Sequence, residues 1–294
     1  LNELRNDLWF YLVLPKEVAS LNFENTTQLI YQLPTYPPTM RSHFNVERFK
    51  KLVPHNLDID LVFSHLPEHT HAIKNTIYNL THHTPHFFGY CHWFDLKEVV
   101  GWHADSFLQN ITGLLECERV YLNTEYQKQM VLKQASEHFN KTTISKLDDI
   151  LTVHHLGVDE KDIVKRINTK PTKTIVFNHR PDTYKNYNGF IKLMDKLWTY
   201  RQDFNVWIPL LKGKPNRPYI NNDSGDKSFY YKRLKSCCVG LSPRQTYGGW
   251  SVATTDGIMN GVPYIMYNDT YYHELCSEAD FFKTDEEAMK LLNR

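Results

Sequence analysis

Short apolar runs of strand length recur along this chain, and most are followed by a longer stretch of helical character. LWFYLVL (8–14) is the first run. DIDLVFSHL (58–66) precedes the helical EHTHAIKNTIYNL, and HFFGYCHWF (86–94) precedes a polar helix containing DSFLQNITGLLEC. RVYLNT (119–124) leads into the helix EYQKQMVLKQA, and ISKLDDILTVHHLGVD carries a further strand. A strand that is apolar along its whole length needs cover on both faces, and intervening helices supply it. The alternation therefore predicts βαβ units around parallel sheets, an α/β fold.

Between Val158 and Thr172 the pattern gives way to the charged, uneven DEKDIVKRINTKPTK, which marks a domain boundary. A second set then begins with the strand TIVFNHR (174–180), the helix FIKLMDKLWTY and the strand FNVWIPLL (204–211). The loop KGKPNRPYINNDSGD leads to the helix KSFYYKRLKSC and the strand CVGLSP, and the strand PYIMY (263–267) precedes a last helix in DEEAMKLL. A length of 294 residues accommodates two domains. The expected domains are residues 1–158 and 172–294, two Rossmann-like, doubly wound halves facing a cleft. Ligands of open α/β sheets bind beyond the carboxyl ends of the strands, so the loops after the strands of the second half matter most.

Charge excludes some partners. The formal net charge is +1, so a nucleic acid would have to bind through a local patch. The five cysteines include no CxxC pair, which predicts reduced thiols in a cytosol-like compartment, without a disulfide framework or a zinc site. No apolar run approaches the roughly 20 residues of a membrane span, and no secretory signal is visible. A cytoplasmic protein with no membrane partner is expected. The opening LNELRNDLWF lacks a methionine, which reads as a missing natural start.

The loop after TIVFN reads HRPDTYKNYNGF, with Arg180 and Lys185 on either side of a turn signalled by Pro181-Asp182. A guanidinium fork and an ammonium on the same side of a loop suit a diphosphate. On these two residues alone, solvated surface cations are the commoner arrangement. The stretch RQTYGGWSVATTDGIMNGVP (244–263) follows CVGLSP. Gly248 and Gly249 allow a tight turn and a close backbone approach. Ser251 is placed to cap a helix whose first N–H groups, those of Val252, Ala253 and Thr254, would face an anion. Asp256 falls on the face that could reach ribose hydroxyls, and Gly261 and Pro263 end the helix. A plain strand-to-helix turn is the alternative, since a lone glycine pair is weak evidence.

In that order, these features resemble the C-terminal half of retaining nucleotide-sugar glycosyltransferases of the GT-B fold, of the group 1 or family 4 kind. The family turn reads E-G-F-G-x4-E-A-x3-G-x-P, and GGWSVATTDGIMNGVP is similar to it, with Asp256 where the family's second Glu holds the donor ribose. Gly248 stands where the first, sugar-contacting Glu would be. NDTYYHEL resembles the family loop ending in Glu-Leu, with Glu274 as a structural residue. In the first half, His92-Trp93-Phe94-Asp95 follows a strand where the family often carries a cleft histidine; a satisfied structural histidine is the alternative. YCHWFD, RVYLNTEY and VFNHR look like the subset of these enzymes that glycosylate nucleobases in transfer RNA or phage DNA.

The resemblance implies a UDP-sugar donor, no cofactor, no metal and retention of configuration. It implies catalytic roles for His92, Arg180 and Lys185, and donor contacts from Gly248, Gly249, Trp250, Ser251, Val252 and Asp256. His65, Glu68, Trp93 and Asp95 would lie on the acceptor side. The expected acceptor is a hydroxymethylated pyrimidine in DNA, which would place the enzyme in the cytoplasm of a phage-infected cell. The interleaved aromatics and cations of KGKPNRPY (212–219) and SFYYKRLK (228–235) suit a flipped base and a carbohydrate equally. A glycan or lipid acceptor therefore stays open, as does a catalytically silent relative that binds nucleic acid or protein. Oligomeric state is not legible. Asp58-Ile59-Asp60 spells the DxD of metal-dependent glycosyltransferases but opens a strand, at the wrong end of a sheet. His82-His83 and His154-His155 lack partners at zinc-ligand spacing.

Overall fold

A computed structural model describes residues 8–14, 24–31, 44–53, 57–92, 94–97, 104–163, 172–246 and 249–293. Of the linker expected at 158–172, residues 164–171 lie outside the described residues. The backbone resolves into two compact units. One comprises Leu1–Leu96, Trp102–Tyr121 and Leu132–Thr152, and the other Lys97–Gly101, Leu122–Val131 and Val153–Arg294.

The first part of the chain holds β1 (Phe10–Leu14) and β2 (Thr26–Ile30), paired in parallel, and helix α1 (Val46–Leu52). A four-stranded sheet follows in the order β3 (Leu61–Ser64), β4 (His86–Cys91), β5 (Arg119–Leu122), β6 (Leu151–Val153). Helices α2 (Thr70–Thr81), α3 (Ala104–Leu114), α4 (Glu125–Ala135) and α5 (Lys141–Ile150) lie between these strands in sequence. Helix α3 buries Phe107, Ile111 and Leu114, one helical face at the spacing of three and four residues. Gly113 on the same helix meets the short turn Pro67–His69, where a Cβ would lie 1.8 Å from the Pro67 carbonyl oxygen.

The second unit is built on a six-stranded sheet. Its strands are β7 (Thr172–Val176), β8 (Asn205–Trp207), β9 (Ile220–Asn221), β10 (Cys237–Ser242), β11 (Tyr264–Tyr267) and β12 (Asp280–Phe282). They lie in the order β12-β11-β10-β7-β8-β9, and every neighbouring pair is parallel. Side chains alternate across this sheet. Ile175, Val206 and Ile265 join a core with α6 (Tyr187–Tyr200), which buries Phe190, Leu193, Met194 and Leu197. Their neighbours Val176, Trp207 and Met266 join a second core on the other face, with Tyr231 and Leu234 of α7 (Lys227–Lys235). Such two-sided burial is why these strands read as unbroken apolar runs. Helices α8 (Val252–Met259), α9 (Thr270–Leu275) and α10 (Asp285–Leu292) complete the unit.

Several elements differ from expectation. FNVWIPLL pairs only over Asn205–Trp207, because Pro209 has no N–H for a ladder and Leu211 N turns back to Ile208 O at 3.1 Å. The first half of ISKLDDILTVHHLGVD is α5, whose N-cap Asn140 accepts from Thr143 N. Strands β2, β9 and β12 and helices α1 and α9 carried too short an apolar pattern to be read. The carboxylate of Glu274 accepts from Glu125 N at 2.7 Å and Tyr126 N at 2.6 Å, capping α4.

Candidate functional site

The strand order of the second unit reverses between β7 and β10. Connections from these strands leave to opposite sides, which opens a crevice at their carboxyl ends. The segment Asn178–Lys185 follows β7, and the stretch leading to α8 follows β10, so the two loops singled out by sequence flank this switch point.

A chain of buried polar groups ties them together. His179 Nε2 lies 3.1 Å from Ser242 Oγ, Ser242 Oγ 2.7 Å from Thr254 Oγ1, and Thr254 Oγ1 2.8 Å from Ser251 Oγ. All four residues are buried. Burial, and then the charge of Lys185, push the His179 imidazole down to about 3, so it is neutral at physiological pH. Asn178 adds a second tie: its Nδ2 donates to Ala253 O at 2.6 Å and to Tyr230 Oη at 3.0 Å, while its Oδ1 accepts from Tyr264 Oη at 2.9 Å. The start of α8 is thus fixed to the end of β7.

Ser251 caps α8 as expected, its Oγ accepting from Thr254 N at 3.4 Å. Thr254 N is therefore spent on the cap and does not face a ligand, which corrects the expectation for that group. Helix geometry leaves the N–H groups of Val252 and Ala253 outside the internal bonding. Asp256 is half-buried and accepts from Tyr230 Oη at 3.4 Å. Tyr230 also lines a cavity of about 260 Å³ with Trp207, Leu210, Asp226, Lys227 and Phe229, and Asp256 is linked to it through the Tyr230 hydroxyl. Gly261 ends the helix at φ 78°.

Arg180 and Lys185 come together on one aromatic ring. The Arg180 guanidinium lies 5.3 Å and the Lys185 ammonium 5.1 Å from the centre of Tyr184. Arg180 is exposed, donates to Tyr184 Oη and stands 3.7 Å from Asp182. Lys185 donates to Gln245 Oε1 at 2.6 Å. Among the described residues no carboxylate reaches it within ion-pair distance. Burial, with repulsion from Arg180 next, lowers its pKa to about 8.

Gly248 lies outside the described residues. Gly249 borders open space, with nothing within 4 Å of where a Cβ would sit. Trp250 stacks on His155 at 4.6 Å between ring centres, and its indole N–H is buried without a partner. His155 Nδ1 is 2.8 Å from Asn123 O, so the proton sits on Nδ1.

In the first unit the structure brings His65 and His92 together. They follow β3 and β4, which are adjacent, and His65 Nδ1 lies 3.1 Å from His92 Nε2. Their rings stack, with centres 5.4 Å apart, and Tyr90 lies 4.7 Å from His92. Much of each side chain is exposed, but the covered ring faces are desolvated, which lowers both imidazole pKa values; the nearby His92 lowers His65 further. Glu68 accepts from Asn110 Nδ2 at 3.2 Å. Asp95 is buried; its N donates to Asn110 Oδ1 at 3.5 Å and its carbonyl accepts from Gln134 Nε2 at 3.2 Å. Trp93 lies outside the described residues. Asp58 and Asp60 precede β3, at the amino end of the sheet, away from His65. Among the described residues no three His, Cys, Asp or Glu groups gather at metal-binding geometry, and no helix is long and apolar enough to cross a membrane.

Sequence reasoning did not find His179, Ser242, Gln245 or Tyr230. Each lies within a few residues of a motif position, but nothing in the local pattern says that its side chain turns inward.

No protein-family model matches the sequence, and no curated protein sequence does. Solved structures do match. The E. coli trehalose-6-phosphate structure bound with UDP-2-fluoro glucose aligns with TM-score 0.69 and 12% identity, over 97% of this chain and 84% of that one. A trehalose-6-phosphate synthase studied for glycosyltransfer with retention aligns with TM-score 0.68 and 13% identity, over 97% and 84%. A mutant of S. aureus TarM in complex with fondaparinux, α-GlcNAc-glycerol and UDP aligns with TM-score 0.61 and 13% identity, over 85% of this chain and 51% of that one. The fold is α/β of the GT-B class.

Proposed function

We propose that this chain is a glycosyltransferase that holds a nucleoside-diphosphate sugar, in the first instance a UDP-sugar, at the switch point of the second unit. The observation that carries the reading is the pair Arg180 and Lys185 on Tyr184, the inner cation held by a neutral amide. Two adjacent cations without enough negative charge are stabilised by an anion, and a diphosphate matches a fork beside a point charge. The capped start of α8 adds backbone donors and the positive end of its dipole. The cavity that Tyr230 lines with Trp207 and Phe229 suits a nucleobase, and Asp256, hydrogen-bonded to Tyr230, suits the ribose hydroxyls.

The acceptor oxygen bonds to the anomeric carbon as the carbon–oxygen bond to the diphosphate breaks. The electron pair stays on the diphosphate, where Arg180, Lys185 and the α8 start lie, and the acceptor proton passes to a phosphate oxygen. Stabilisation of a developing charge by one such preorganised group is worth about 10²–10³ in turnover. Retention rests on resemblance to the family. His65 and His92 are the groups of the first unit suited to hydrogen-bond an acceptor hydroxyl.

For the acceptor, the reading as a hydroxymethylated pyrimidine in DNA loses part of its motivation. Arg217 pairs with Asp195 at 2.7 Å, Arg233 lies 3.8 Å from Asp223, and Tyr219 and Tyr231 are buried, so these four serve pairing and packing, while Lys212, Lys214, Lys227 and Lys232 stay exposed. A hydroxyl on a sugar, sugar phosphate or glycerol unit is the better supported acceptor, given the ligands of the similar structures. Transfer of label from UDP-glucose to glucose 6-phosphate, glycerol phosphate and hydroxymethylated DNA separates the readings. Label on the DNA alone would restore the nucleobase acceptor, and no turnover of UDP-glucose, UDP-galactose or UDP-GlcNAc with any acceptor would count against a UDP-sugar transferase.

A further inference from the structure

Gln245 lies in the loop after β10, between Lys185 of the loop after β7 and Tyr271 and Tyr272 of α9, and it is buried with 6% of its surface exposed. Tyr272 Oη donates its proton to Pro243 O at 3.1 Å, so toward Gln245 it can only accept. Gln245 Nε2 lies 2.6 Å from that oxygen and must be the donor. The carbonyl Oε1 is thereby turned toward Lys185 Nζ, 2.6 Å away. The backbone is pinned as well, Gln245 N donating to Tyr271 Oη at 3.1 Å. Both tyrosines are buried, and burial raises their phenol pKa values, so neither supplies a negative charge.

We propose that Gln245 is the positioning residue that aims Lys185 at the donor diphosphate, and that its neutrality keeps the ammonium's charge available to that ligand. This rests on the diphosphate reading of Arg180 and Lys185. An amide takes one of three N–H donors and none of the charge. A glutamate at the same place would fit the same cage, with Tyr272 turning its O–H onto the new oxygen, and would neutralise the lysine. The other groups near Lys185 are Arg180, Asp182, the neutral His179 and the ring of Tyr184. With Arg180 repelling and only Asp182 attracting, free Lys185 holds its proton below about pH 8. Once the terminal phosphate is ionised, above its own pKa of about 6, affinity for a diphosphate is therefore flat up to about pH 8 and falls about tenfold per unit above it, until the pKa of the bound form is reached.

The test is calorimetric titration of the full chain with UDP, and with uridine as the control, from pH 6.5 to 9.5. Gln245→Glu is expected to weaken UDP binding at least about tenfold at pH 7, the scale of one charge-assisted contact, with uridine binding unchanged. It should also move the break in affinity above pH 8, because the new carboxylate holds the lysine's proton. Gln245→Met should weaken UDP severalfold and leave the break where it is. Lys185→Met should weaken UDP and abolish the break. If Lys185→Met lost UDP but Gln245→Glu kept the parent affinity and break, the role of Gln245 would be overturned while the diphosphate site stood. Should Gln245→Glu fail to fold, Gln245→Met decides, and parent affinity there overturns the proposal. Parent affinity in Lys185→Met would remove the diphosphate reading itself.

Discussion

His179 contributes to stability through the proton it does not hold. Its pKa lies at about 3 in the fold against the ordinary 6.5, because it is buried and then because it faces the charge of Lys185. Above pH 6.5 both folded and unfolded chains carry the neutral ring and the full stability is present; below it only the unfolded chain takes the proton. Stability should therefore fall by about 1.4 kcal/mol per pH unit between 6.5 and 3 from this group alone. Denaturant titrations of the parent and of His179→Asn across pH 4–7 check this, the variant being expected to lose that slope; equal slopes would contradict it. The His65–His92 pair makes a second prediction. Because His92 helps to lower the pKa of His65, His92→Ala should raise the His65 pKa toward 6.5, as read by NMR titration of its ring, and an unmoved value would break the coupling. Arg180, exposed at the loop, should by contrast tolerate Arg180→Ala with a change in stability within about 0.5 kcal/mol. Its loss should appear in turnover, and parent turnover in that variant would remove it from the site.

At the scale of elements, α8 depends on how closely it approaches β11. The Tyr264 ring fits between two glycines, and a Cβ on Gly257 would lie 2.2 Å from it, as would one on Gly240. In an open helix Gly→Ala gains up to about 1 kcal/mol, but overpacking here costs about 1–3 kcal/mol. Gly257→Ala should therefore lower the melting temperature, and a rise would contradict the packing. Local pattern marked the elements whose ends coincide with a clean change of period. EYQKQMVLKQA is α4 residue for residue, and DEEAMKLL is α10, opened by the capping box of Thr284 and Glu287. It did not show β9 or β12, which pair over two and three residues at the sheet edges and are held by the sheet more than by their own composition.

For the whole molecule, alternation of strands and helices was enough to reach the α/β class, because a parallel sheet covered on both faces leaves unbroken apolar runs in the chain. The order β12-β11-β10-β7-β8-β9 was not readable in the same way, since each strand's neighbours are chosen by contacts distant in sequence. The candidate site follows this division. Arg180, Lys185, Ser251 and Asp256 stood out through their place after strands, whereas the side chains that aim them, His179, Asn178 and Gln245, are ordinary polar residues until the switch point brings their loops together.

A nucleoside diphosphate bound at the switch point of the second unit is what the proposed activity requires first. The most direct measurement is a calorimetric titration of the full chain with UDP at pH 7, repeated on Arg180→Ala/Lys185→Ala. Saturable binding of one UDP per chain is expected, weakened at least about a hundredfold in the double variant, the scale of two charge-assisted contacts. Absence of saturable binding in the parent, or equal affinity in the two proteins, would contradict it.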